Sequence, residues 1–102
     1  MSVVPLSRGT FEAERYAQIR KMLDDAQVSL VPAIRALQGC LHYWAAVDPV
    51  SHSMVNVSVW TSLDAAKQME TLAPMLALAS EFTTQGVTFE RPITNYETLW
   101  EI

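Results

Sequence analysis

Between Met54 and Thr61 the chain alternates: Val55, Val57 and Val59 fall on one parity, Met54, Asn56, Ser58 and Trp60 on the other. A period of two predicts a β-strand over this stretch. Cys40–Val47 reads as a second strand. The turn formers in Asp48-Pro49-Val50-Ser51-His52 make the pair an antiparallel hairpin. Upstream, Tyr16, Ile19, Leu23 and Ala26 recur at steps of three and four, opposite Arg15, Arg20, Lys21, Asp24 and Asp25. This predicts an amphipathic helix over Phe11–Gln27, with Thr10 as its N-cap and Glu12 and Glu14 at its positive end. Residues 2–8 read as a first strand, with Pro5 at an edge or bulge and Gly9-Thr10 ending it.

Ser29 is the expected cap of a short second helical segment, because Pro32 suits a first turn and not a helix interior. Leu30, Ile34 and Leu37 form its inner side and Gly39 stops it. Ser62 and Asp64 open the next helix, with Ala65, Ala66, Met69 and Leu72 inward, and Pro74 breaks or re-aims it. Met75, Leu76, Ala79 and Phe82 continue toward Gly86. A last strand region, Val87–Ile102, is interrupted at Pro92. The order β-α-β-β-α-β predicts one α+β domain over residues 1–102. This is the ferredoxin-like arrangement, a four-stranded antiparallel sheet with helices on one face.

Charge changes this picture at one place. In the 21 residues from Cys40 to Trp60, Asp48 is the only charged side chain. A strand with one wet face alternates apolar and charged residues, and this hairpin does not. Left in water, the face away from the helices would exceed the roughly 300–600 Å² patch of a typical monomer. The expectation is a homodimer with two sheets face to face.

Composition narrows the function classes. Half of the 102 residues are hydrophobic and 18% are charged, which excludes a disordered chain. No apolar run is long enough to span a bilayer, so no membrane partner is expected. A net charge of −4 gives no footprint for nucleic acid. The N-terminus lacks the basic start and apolar core of a signal peptide, so a cytoplasmic location is expected. Cys40, the single cysteine, and two dispersed histidines leave no metal-ligand pattern, and neither a metal nor a cofactor is expected.

A Gly39-Cys40-Leu41 turn enters the second strand. The third strand ends in tryptophan and runs straight into a helix: Val57-Ser58-Val59-Trp60-Thr61-Ser62-Leu63-Asp64-Ala65-Ala66. This pattern resembles the dimeric α/β-barrel superfamily, in particular the antibiotic biosynthesis monooxygenase-like domains. The resemblance implies a dimeric barrel. It also implies relatives that include cofactor-independent monooxygenases of polyaromatic quinols, haem-degrading enzymes and proteins without known activity. Trp60 matches the tryptophan of that pattern. Ser58 stands where many relatives carry glutamate. The helix after Trp60 has Gln68 and Met69 where haem degraders place a histidine, so haem binding in that manner is not carried over.

His42 and Trp44 share one face of the second strand, and Asn56, Ser58 and Trp60 share one face of the third. Hairpin register decides whether the two sets meet. Paired numbers summing to about 100 bring them together, and a slip of one residue sends them to opposite faces. In the first register, His42 is the candidate general base and Asn56 the oxyanion donor, with Trp44, Ser58 and Trp60 as substrate-binding groups. Buried His, Asn and Ser are also commonly satisfied by neighbouring groups without any catalytic role. Two functions are carried forward. One is a cofactor-independent monooxygenase, or related enzyme, of an aromatic or quinone-like metabolite. The other is a non-catalytic dimeric module that binds a small hydrophobic ligand or serves as an assembly scaffold.

Overall fold

In the computed structural model, which describes residues 1–102, strands β1 (Val3–Thr10), β2 (Cys40–Asp48) and β3 (Ser53–Trp60) form an antiparallel sheet. Helices α1 (Tyr16–Asp25), α2 (Gln27–Arg35), α3 (Leu63–Ala66) and α4 (Ala73–Thr84) accompany it. The last strand region is divided into β4 (Thr88–Phe89) and β5 (Thr94–Glu97), so the sheet has five strands rather than four. The spatial order is β2-β3-β1-β4, and β5 also pairs with β1. Gly9 opposes Phe89, whereas Leu6 opposes Thr94. The register thus slips by two residues across the segment that holds Pro92, as expected where proline interrupts an edge strand.

Four local expectations are corrected. Gly9 and Thr10 do not stop the strand after Arg8 but form its last two residues; both pair with β3 and β4. Gly9 is required there because an added Cβ would lie 2.7 Å from Val87 Cγ1 and 3.1 Å from the Phe89 ring. Thr10 is therefore no N-cap. The helix begins with a 3₁₀ turn at Ala13–Arg15 behind Glu12, which makes no capping hydrogen bond. Ser29 is likewise no cap, since α1 and α2 meet at Ala26, whose backbone is itself helical, and Ser29 lies inside α2. Pro32 is also inside α2. Pro32 has no amide hydrogen and so cannot donate to the Val28 carbonyl one turn earlier; the Val28 side chain there is 83% exposed.

Other local signals agree with the chain. Ser62 Oγ accepts from the Ala65 amide at 3.1 Å and caps α3. A 3₁₀ turn, Lys67–Thr71, and an extended Leu72 separate α3 from α4, with Pro74 in the first turn of α4. In the hairpin turn Asp48 accepts from the Val50 amide at 3.0 Å and the Ser51 hydroxyl at 2.7 Å, and His52 takes φ 51°.

Two clusters join helices to sheet. Phe11, Ile19, Leu23, Met54, Phe82 and Val87 form one. Ala26, Leu30, Ile34, Trp60 and Ala66 form the other. No helix is long and apolar enough to cross a membrane.

Candidate functional site

The hairpin register determines what shares a site. Tyr43 pairs with Ser58, Ala45 with Asn56 and Val47 with Met54, whereas His42 pairs with Val59 and Trp44 with Val57. An irregularity between Cys40 and His42 shifts the register by one residue. Directly opposed residues lie on the same face. Met54, Asn56, Ser58 and Trp60 therefore face the helices, and Val55, Val57 and Val59 face away. The alternation of β3 is as expected, but the valines occupy the outer face.

This separates the predicted site residues. His42 and Trp44 lie on the outer face, their rings stacked 5.3 Å apart with 14° between planes. They do not meet Asn56 and Ser58, and the constellation built on the other register is excluded. Trp60 faces the helices but is 0% exposed, packed among Ala26, Leu30, Ile34 and Ala66. Its indole Nε1 donates to Ser58 Oγ at 2.8 Å. Trp60 holds the core and orients Ser58 rather than covering a ligand.

Asn56 and Ser58 border a cavity of about 560 Å³ between sheet and helices. Pro5 and Ser7 of β1, Tyr43 of β2 and Met54 of β3 complete its floor. Met69, Met75, Leu78, Ala79 and Phe82 form the helical wall, which exists because the chain breaks at Leu72 and starts again as α4. Phe89, Arg91, Pro92, Ile93 and Asn95 border it from the β4–β5 segment. The volume and the mainly apolar lining with a few convergent polar groups are those of a small-molecule site.

The polar groups differ in readiness. Ser58 Oγ is engaged with Trp60. Ser7 Oγ accepts from Arg91 Nη1 at 3.2 Å. Asn56 and Tyr43 border the same space with their side-chain amide and hydroxyl unpaired by protein. Burial raises the Tyr43 phenol well above its ordinary value near 10, and the neighbouring Cys40 adds to the shift. Tyr43 is therefore a hydrogen-bond donor at neutral pH and not a base. Burial also pushes the Cys40 thiol up, away from thiolate chemistry. No group of three or more His, Cys, Asp or Glu side chains is placed to hold a metal ion.

Sequence reasoning missed Tyr43, Met54, Ser7 and Arg91 as cavity residues. The parity of β2 relative to β3 would have identified Tyr43, but the turn left that parity undetermined. Ser7 and Arg91 carry no pattern of their own.

The fold defines the class first: it is the α+β fold of solved antibiotic biosynthesis monooxygenase-like proteins. A candidate antibiotic biosynthesis monooxygenase from Deinococcus radiodurans superposes with a TM-score of 0.75 at 24% identity, over 98% of this chain and 95% of that one. Rv0793 from Mycobacterium tuberculosis gives 0.72 at 20% identity, over 99% and 98%. SnoaB, a cofactor-independent oxygenase from Streptomyces nogalater, gives 0.72 at 17% identity, over 99% and 96%. No family model matches the sequence, and no curated protein matches it significantly.

Proposed function

We propose that the cavity between sheet and helices binds a flat phenolic or quinol molecule and promotes its oxygenation by O₂ without a cofactor. The observation that carries this reading is the unpaired Asn56 carboxamide in a largely apolar space of about 560 Å³. Apolar walls accept the ring, and polar groups on one floor orient its oxygens. As a quinol hydroxyl ionises, Asn56 donates to the oxyanion, and Tyr43, held protonated by burial, donates to a second oxygen. The fold shared with SnoaB, a cofactor-independent oxygenase, supports the reaction class. His42 is withdrawn as the base because it faces the opposite side of the sheet. The proton leaves to water at the rim.

The chemistry balances with the substrate as its own reductant. For 1,4-dihydroxynaphthalene, the ionised ring reduces O₂ and a carbon–oxygen bond forms. The oxygen–oxygen bond then breaks, giving hydroxynaphthoquinone and one water. Simple autoxidation gives naphthoquinone and hydrogen peroxide instead. The test is oxygen uptake with product and peroxide analysis. The proposal expects hydroxynaphthoquinone without peroxide, and a rate about 100-fold lower in Asn56→Ala, the size of one lost oxyanion donor. A second reading, a non-catalytic binder, draws on the absence of histidine from the cavity. It is favoured if the quinol binds but only peroxide and naphthoquinone form.

We also propose that two chains pair through the outer sheet face. Val4, Leu6, Val57, Trp44 and Tyr96 lie on that face. Trp44 and Tyr96 are 52% and 54% exposed in the single chain. Covering these side chains with a second copy removes a contiguous apolar surface from water.

A further inference from the structure

Arg91 projects from the segment that interrupts the edge strand, and it is held without being neutralised. Its Nη1 donates to Ser7 Oγ at 3.2 Å and to the Glu90 carbonyl at 2.9 Å. Its guanidinium carbon lies 4.8 Å from the centre of the Phe89 ring. The two ion pairs of the protein are Arg8–Glu90 and Lys21–Asp25. The carboxylate next to Arg91 in sequence is thus committed to Arg8 at 2.9 Å. Nε and Nη2 remain free to donate. The charged residues lining the cavity are Lys67, Glu70 and Arg91, a net +1 on a chain of net −4.

We propose that Arg91 makes the cavity selective for aromatic molecules bearing a carboxylate, with the ring inside and the carboxylate on the guanidinium at the rim. The proposal rests on the cavity being a ligand site, as argued above. A planar guanidinium fixed by Ser7 and Phe89 has already lost much of its rotamer freedom, and its remaining donors match the two oxygens of a carboxylate. No carboxylate of the protein is paired with Arg91, and its sequence neighbour Glu90 is engaged by Arg8.

The test compares 1-hydroxy-2-naphthoate with its methyl ester in fluorescence titrations of the wild type, Arg91→Gln and Arg91→Lys. The wild type is expected to bind the carboxylate about tenfold or more tightly than the ester, the range of a charge-assisted hydrogen bond. Arg91→Gln abolishes that preference by weakening only the carboxylate, and Arg91→Lys restores part of it. Equal wild-type binding of both compounds overturns the role of Arg91 and leaves the cavity reading intact. The same holds for a preference that survives in Arg91→Gln. Equal weakening of both compounds in Arg91→Gln marks a structural role and also overturns it. Failure of both compounds to bind the wild type overturns the cavity reading together with this proposal.

Discussion

The indole Nε1 of Trp60 donates to Ser58 Oγ at 2.8 Å, linking a fully buried core residue to the floor of the cavity two positions earlier on the same strand. Removing the hydroxyl leaves the indole donor buried and unpaired. Ser58→Ala is therefore expected to lose about 1–3 kcal/mol of stability. In Trp60→Phe there is no donor to strand, so adding Ser58→Ala should cost much less than it does in the wild type. Urea denaturation of the two single variants and the double variant measures this coupling, and additive losses would show that the bond contributes nothing.

Tyr43 gives the fold an alkaline signature. Its phenol is raised by burial, so the neutral form is favoured in the folded protein. The stability this provides is complete below the ordinary tyrosine value near 10, and it is lost as pH rises from there toward the folded value. Wild type should lose stability relative to Tyr43→Phe as the pH is raised above about 10. Denaturation midpoints of both proteins from pH 8 to 11 check this, and parallel curves would contradict it.

Gly39 turns the chain from α2 into β2 at φ 84°, where an added Cβ would lie 2.5 Å from Thr61 Oγ1 and 2.9 Å from Ala65 Cβ. Backbone strain and crowding both oppose a side chain there. Gly39→Ala should cost at least about 1–2 kcal/mol. Gly86 also has positive φ, at 96°, but open space around it. Gly86→Ala should then cost less than Gly39→Ala by thermal denaturation, because only the strain applies.

How much could be read from the amino acids is clearest in the hairpin. Both strands and their turn follow from local signals: alternating valines, an Asp-Pro turn and a tryptophan at the strand end. Their relative parity does not, because it depends on where an irregularity falls near Leu41 and on a left-handed His52. One residue of slip separated His42 and Trp44 from Asn56 and Ser58, and brought Tyr43 to the cavity in their place. The alternation of β3 is also silent about direction. The usual assignment would turn valines toward the helices and polar groups toward water. Here the polar residues face the helices because a cavity lies there, and the valines face outward. Asn56 and Ser58 remain candidate site residues, whereas Trp60 belongs to the core.

The outward valines lead to a prediction about assembly. The proposed pairing of outer faces expects sedimentation velocity at micromolar concentration to give twice the 11.4 kDa chain mass. Trp44→Glu places a charge in that face and should shift the protein to single chains while it remains folded. A wild type that sediments as a single folded chain would contradict the pairing.

The claim that a small aromatic molecule occupies the space between sheet and helices is tested most directly by filling that space. Ala79 lies on its helical wall, and Ala79→Trp would place an indole where the ligand is proposed to sit. The dissociation constant of 1-naphthol for wild type and Ala79→Trp, measured with circular dichroism to verify folding, is the decisive quantity. The account predicts saturable binding by wild type and a loss of at least about tenfold in the filled variant. Equal affinity in two equally folded proteins would contradict it.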